Sequence, residues 1–189
     1  DLNLNYITNS ISSELVIGNV RSATFQENLG FINTHPFHYE NLLFSHNGFI
    51  GKFTDDTKSA LKSHLDSFYL NQIKGSTDSE LIFFLIIQFL RNTNDLKRRI
   101  KKFIKIIKEN SESSMLNFLI ATHDTKGNKK LYATKFGLNA KPPSLYYNFI
   151  KEQGYLISSE KLNNSNWKKI ENNSLLEVID NNFKCYSIL

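Results

Sequence analysis

Residues 75–90 of the chain read GSTDSELIFFLIIQFL, a helix start followed by an apolar run. Thr77 can serve as an N-cap, and Glu80 follows three residues later, which is the spacing of a capping box. The run after Glu80 is apolar except for Gln88, and this pattern predicts a largely buried helix. The run is too short to cross a bilayer, which takes about 20 apolar residues.

Two further helices are predicted, one on each side of this stretch. Residues 56–71 show helical spacing of leucine and phenylalanine and end before Gly75. Residues 94–109 form a basic amphipathic helix, with lysine and arginine on one side and isoleucine on the other. Its basic side could bind nucleic acid or an anionic membrane. We favour a solvated face, because no aromatic side chains are interleaved with the basic ones as single-strand binding would need.

Short apolar or alternating segments flank the helices and predict strands. Two precede the helices, at residues 14–20 and 41–45, and Asn47-Gly48 after the second is a turn signal. Five more follow the helices, at residues 115–121, 130–134, 144–149, 155–158 and 175–179. Strands, then helices, then strands predict an α+β fold with largely antiparallel sheets in a layered sandwich.

The composition is that of a single globular domain. The 189 residues are 40% hydrophobic and carry a formal net charge of +5, which excludes a disordered or membrane-spanning chain. Cys185 is the one cysteine, so no internal disulfide can form, and we expect a reducing, cytoplasmic location. We interpret Cys185 as a buried structural cysteine in a C-terminal strand.

Three polar segments contain candidate site residues, each with a plainer alternative. Arg21 follows a predicted strand, where its guanidinium could bind a carboxylate or form a structural salt bridge. Asn47 offers a side-chain amide and Gly48 an unobstructed backbone N–H; two such donors suit an oxyanion hole, although an ordinary Asn-Gly turn has the same sequence. Asp78 could bind a substrate ammonium group or simply stabilise the first turn of its helix.

Histidines at positions 35 and 46 are the remaining candidates. Either could ligate a metal ion, but no cysteine or carboxylate stands beside them at the spacing of a metal site. We interpret both His35 and His46 as structural histidines, and we predict neither a metal nor another cofactor.

Taken in order, these segments resemble the motif set of class II glutamine amidotransferases, which are N-terminal-nucleophile hydrolases. The matching stretches are Val20-Arg21-Ser22-Ala23-Thr24, Asn33-Thr34-His35-Pro36-Phe37, His46-Asn47-Gly48 and Thr77-Asp78-Ser79-Glu80. Later stretches resemble the small stand-alone branch that contains γ-glutamyl amidohydrolases: residues 131–135, with Lys135 in place of the usual arginine, residues 143–147, and residues 158–162 followed by Trp167.

The resemblance implies a role for each matching residue. The α-carboxylate of the substrate would be bound by Arg21, its α-ammonium group by Asp78, the oxyanion by Asn47 and the Gly48 N–H, and the pocket would be lined by Thr24 and His35. The fold implied is an αββα sandwich. The activity implied is hydrolysis of the γ-amide of glutamine, or of a γ-glutamyl conjugate, through a cysteine thioester.

In this family the nucleophile is a cysteine at the mature N-terminus, whose own α-amine acts as the base. Here Asp1 is the first residue, and only 20 residues precede Arg21. We therefore expect residues 1–189 to be one glutamine amidotransferase type 2 domain that is incomplete at its N-terminus, lacks N-terminal strands and is inactive alone. The alternative is a non-catalytic homologue that binds a γ-glutamyl metabolite or a partner protein. We expect a small-molecule substrate, which is glutamine or a γ-glutamyl compound, but neither nucleic acid nor a membrane. Whether a partner subunit binds is left open by the sequence.

Overall fold

The structure, a computed structural model, describes residues 6, 9–20, 30–90, 96–124 and 126–189. Within them a short 3-10 turn, Phe31–Asn33, precedes the first strand. The elements in chain order are β1 (Phe37–Tyr39), β2 (Leu42–Ile50), α1 (Asp55–Lys62), α2 (Ser67–Leu70), α3 (Asp78–Leu90), α4 (Leu96–Asn110), β3 (Ser114–His123), β4 (Lys129–Lys135), β5 (Gly137–Leu138), β6 (Tyr146–Ile150), β7 (Gly154–Ser158), β8 (Lys168–Lys169), β9 (Ser174–Ile179) and β10 (Asn182–Ser187).

The strands form two antiparallel sheets. The large sheet has the order β1-β2-β3-β4-β9-β10, with β5 paired to β3. The small sheet has the order β7-β6-β8. The predicted α+β class with antiparallel sheets is therefore confirmed.

The helices and the small sheet pack on opposite faces of the large sheet. On the helical side, the Phe44 ring of β2 stacks on Phe83 of α3 with centroids 5.3 Å apart, and Phe103 of α4 meets Phe118 of β3 at 6.1 Å. On the other side a smaller apolar cluster joins the two sheets, formed by Ala133, Leu145, Ile170 and Leu176 with Leu119, Tyr147, Ile157 and Phe183 against it. The described residues thus build helices, large sheet and small sheet as three successive layers.

The start of α3 follows the predicted capping pattern in part. The Thr77 hydroxyl accepts the Glu80 N–H at 3.2 Å, as an N-cap should. The Glu80 carboxylate, however, accepts the backbone N–H groups of Lys74 at 2.9 Å and Gly75 at 2.7 Å. Glu80 therefore fixes the loop before the helix. None of the described helices has the length and hydrophobicity of a bilayer span.

Two predicted elements are wrong. Residues 14–20 form no strand and pair with none of the described strands, and Val20 is fully exposed. The β propensity of a segment does not by itself supply a partner strand. The single helix predicted over residues 56–71 is divided into α1 and α2. The division is fixed by Gln88, whose side chain donates to His64 O and accepts from Asp66 N, both at 2.6 Å.

Cys185 does lie in a C-terminal strand, β10, as predicted, but its side chain is exposed and the prediction of a buried cysteine is wrong. Among the strands that the structure describes, β10 is the last of the large sheet and pairs with β9 alone. Four of its six residues are exposed, because an edge strand is covered less than a central one.

Candidate functional site

Strand β2 carries Asn47 and Gly48, and the chain does not turn there. The strand pairs with β3 without interruption from Leu42 to Ile50, so the predicted Asn-Gly turn is wrong. Gly48 serves a close approach instead. A Cβ atom at this position would lie 1.8 Å from the Met115 carbonyl oxygen of β3, so only glycine lets the two backbones pass this closely.

A polar cavity of about 380 Å³ opens beside Asn47. It lies where β2 and β3 face the small sheet. Its lining residues include Asn19, Val20, Ser45, Asn47, Asn117, Leu145, Ile157, Ser158 and Ser159. Asn47 is exposed to solvent, so its side-chain amide is accessible to a ligand in this cavity.

The segment before Arg21 is held against the same strand. Asn19 Nδ2 donates to Ser45 Oγ at 2.8 Å, which ties residues next to the cavity to β2. Val20 lines the cavity, and Arg21 is the next residue in the sequence. Arg21 and Thr24, two of the predicted substrate-binding residues, lie outside the described residues.

Asp78 joins the start of α3 to the end of β2. Its Oδ2 accepts the backbone N–H of Ile50 at 2.8 Å, three residues beyond Asn47. It is not among the described residues that line the cavity. The structure thus brings Asp78 to the strand that carries the predicted oxyanion donors, and it leaves Asp78 outside the wall that Asn47 forms.

His46 is buried between α3 and β3 with both ring nitrogens engaged. Nε2 lies 3.1 Å from Met115 O, and Nδ1 lies 2.9 Å from Ser79 Oγ. Because a carbonyl only accepts, we assign the proton to Nε2. Nδ1 faces the Ser79 hydroxyl, whose single proton is shared between this nitrogen and Asp78 Oδ1, 3.3 Å from the Ser79 oxygen. Burial lowers the pKa of His46, and the nearby Asp78 carboxylate and Met115 O oppose that effect. These contacts support the interpretation of His46 as a structural histidine.

His35 lies in the core next to β1. It is buried, and its ring meets Phe37 edge-on with centroids 4.8 Å apart. It does not belong to the described lining of the cavity beside Asn47. Within the described chain, no group of three or more His, Cys, Asp or Glu side chains could hold a metal ion.

One functional candidate, Asn117, was not predicted from the sequence. Asn117 of β3 is buried, lines the cavity and pairs with Asn47 across the strands. A single asparagine inside the apolar stretch of β3 was the available signal, because a buried polar group needs a reason. Lys135 is also buried, and its Nζ donates to Ile170 O at 2.9 Å. Burial lowers the pKa of Lys135, and the neighbouring Lys169 lowers it further.

The chain is similar in sequence to known proteins of one family. The family model of class-II glutamine amidotransferases matches residues 5–127, well over half of the chain. The chain is 42% identical over 88 residues to the probable glutamine amidotransferase DUG3 of Saccharomyces cerevisiae. This alignment covers 47% of this chain and 24% of that protein. The chain is 26% identical to an uncharacterized protein of Methanocaldococcus jannaschii over an alignment of 204 residues, covering 94% of this chain and 53% of the other.

The chain therefore spans about half or less of the length of these two relatives. Among solved structures, a glutamine aminotransferase class-II domain protein from Silicibacter pomeroyi has a similar fold, with a TM-score of 0.65 and 26% identity. That match covers 84% of this chain and 72% of the other. The match of the family model, together with the shared fold, shows that this chain belongs to the class II glutamine amidotransferases.

Proposed function

We propose that this protein hydrolyses the γ-amide of glutamine, or of a γ-glutamyl conjugate, through a cysteine thioester. One observation supports the proposal beyond family membership. Asn47 is exposed on the wall of a polar cavity, on a strand fixed at every residue by its partner β3. A side-chain amide held in this way can donate to a carbonyl oxygen as that oxygen becomes an oxyanion.

The proposed reaction has two steps. A thiolate attacks the γ-carbonyl carbon, and the C–N bond then breaks to leave a γ-glutamyl thioester. The thiol proton passes to the α-amine of the cysteine and from there to the leaving nitrogen, which departs as ammonia or an amine. Water then cleaves the thioester and releases the γ-carboxylate. Asn47 Nδ2 and the Gly48 N–H would stabilise the oxyanion of both steps.

The ends of the substrate would be held by the other predicted residues. Arg21 would bind the α-carboxylate, and it directly follows a cavity-lining residue in the sequence. Asp78 would bind the α-ammonium group; one of its oxygens accepts the Ile50 N–H, and a carboxylate has further lone pairs to offer. The resemblance also assigns Thr24 and His35 to the pocket, although His35 lies outside the described lining of the cavity.

The nucleophile cannot be Cys185. That residue lies on β10, which is separated from β2 by β3, β4 and β9 in the large sheet. Four strand spacings place the two strands about 19 Å apart, well beyond the reach of a thiolate to a carbonyl held by Asn47. The proposal therefore takes its nucleophile from an N-terminal cysteine outside residues 1–189.

Asn47→Ala tests the proposal in the protein that carries such a cysteine. We expect kcat for glutamine hydrolysis to fall by about 10²–10³, because one oxyanion donor is lost. Asn182→Ala is a matched control, since Asn182 is an exposed asparagine on β10 of the same sheet and far from the cavity. Equal activity in the two variants would contradict the assignment of Asn47.

The alternative function is binding without turnover, and it can be tested with the same protein. Isothermal calorimetry of glutamine with the intact protein, beside an assay for released ammonia, distinguishes the two. Binding with no ammonia released from glutamine and no amine released from γ-glutamyl conjugates would favour a non-catalytic binding protein. If the protein shows no binding and releases no product, both functions are refuted.

A further inference from the structure

Asn117 lies directly opposite Asn47 in the β2–β3 pair. Residues paired in this way point to the same face of a sheet, with Cβ atoms about 4.5–5.5 Å apart. Both residues line the cavity of about 380 Å³. They differ in environment, because Asn47 is exposed whereas Asn117 is only 4% exposed.

The orientation of the Asn117 amide is set by one hydrogen bond. Its Nδ2 donates to the carbonyl oxygen of Pro143 at 2.9 Å, so the nitrogen faces the loop before β6. Its Oδ1 is shielded from solvent and has no hydrogen-bond partner within the described part of the chain. Leaving a buried acceptor unpaired costs about 1–3 kcal/mol. Only a donor such as an N–H group satisfies this oxygen.

We propose that Asn117 Oδ1 accepts a hydrogen bond from the N–H of the scissile amide, an inference that rests on the proposed function. A substrate amide presents a carbonyl oxygen and an N–H on adjacent atoms. Asn47 supplies a donor for the oxygen, and Asn117 supplies an acceptor for the nitrogen. The two cross-strand asparagines together recognise the amide and reject an ester, which has the same carbonyl group but no N–H.

The test compares an amide with an ester in one preparation of the protein that carries its N-terminal cysteine. kcat/KM is measured for glutamine and for the γ-methyl ester of glutamate, and the quantity of interest is their ratio. We expect Asn117→Ala to lower the amide-to-ester ratio about tenfold, because only the amide loses a hydrogen bond. The ratio does not depend on the fraction of folded enzyme, since misfolding lowers both rates equally.

Two further variants separate this role from a structural one. Asn117→Asp retains an acceptor oxygen and loses the donor to Pro143 O, so we expect lower thermal stability but a ratio close to wild type. Asn148→Ala is the matched control: Asn148 is 6% exposed on β6, donates to Ser165 Oγ at 2.7 Å and is outside the described cavity lining. Its ratio should stay at the wild-type value.

The outcomes distinguish this inference from the function on which it rests. A wild-type protein that hydrolyses neither compound refutes the proposed function and the inference together. An active wild type whose ratio is unchanged by Asn117→Ala overturns the inference alone. A tenfold lower ratio in Asn117→Asp, or in Asn148→Ala, also overturns it, because the effect would then not follow the acceptor oxygen.

Discussion

Replacing Gly48 by alanine should destabilise the protein far more than replacing a glycine usually does. The new Cβ would lie 1.8 Å from Met115 O and 2.8 Å from His46 Nε2. Neither neighbour is the free end of a flexible chain, because one is backbone and the other is a buried ring with both nitrogens engaged. The strand pair itself therefore has to move.

The magnitude follows from these distances. To reach ordinary contact, the Met115 carbonyl must retreat by roughly 1.5 Å. Forcing a methyl group into a packed interior costs about 1–3 kcal/mol. The same movement strains the His46 to Met115 O hydrogen bond, worth about 1 kcal/mol. The expected loss is about 2–4 kcal/mol, or roughly 5–15 °C in Tm for a domain of this size.

The assay is thermal unfolding followed by circular dichroism, with Gly30→Ala as the matched control. At Gly30 the nearest described atom to a new Cβ is Ile32 Cγ1 at 3.7 Å, an ordinary contact. Gly30→Ala should therefore change stability by less than about 0.5 kcal/mol. If Gly48→Ala and Gly30→Ala melt at the same temperature, the close approach of β2 and β3 does not require a glycine at position 48.

Three further predictions concern buried polar groups, each measured by urea unfolding. Glu80 is buried, and its carboxylate accepts the backbone N–H groups of Lys74 and Gly75. Glu80→Ala should therefore cost about 2–4 kcal/mol, because both N–H groups lose a charged acceptor. Glu80→Gln should cost less, and equal losses would contradict this. Burial lowers the pKa of His46 below the ordinary value of 6.5. Because an unfolded histidine takes up a proton near pH 6.5, the free energy of unfolding should fall as pH drops below that value. His46→Gln should remove the contribution of this histidine to the fall. Burial raises the pKa of Tyr132 to about 12. The free energy of unfolding should therefore fall as pH rises from 10 through 12, by at most about 1.4 kcal/mol per pH unit. In Tyr132→Phe this fall should be smaller.

The elements that were predicted correctly are those whose signals are local. The helix that begins at Asp78 has its N-cap and its apolar run in one continuous stretch, and the basic helix has a strict apolar period. The strands after residue 114 alternate or are apolar throughout and are separated by turn residues. Such signals need no knowledge of the rest of the chain.

The elements that were missed depend on distant partners. The break between α1 and α2 is fixed by Gln88, which stands more than 20 residues further along the chain. Asn117 became a candidate only when the register placed it opposite Asn47, 70 residues earlier in the sequence. No local pattern contains the strand register, because pairing is set by packing on both faces of the sheet.

The Asn47-Gly48 pair shows how such a partner changes the meaning of a motif. As a local signal it predicts a turn, and a turn would place the oxyanion donors on a flexible loop. In the structure it lies within a nine-residue strand, and Gly48 is required because Met115 passes so close. Groups on a strand are held more accurately than groups on a loop. The position of Asn47 therefore depends on β3. Substitutions at residues 115–117, which belong to none of the motifs quoted for the family, should for this reason also slow the reaction.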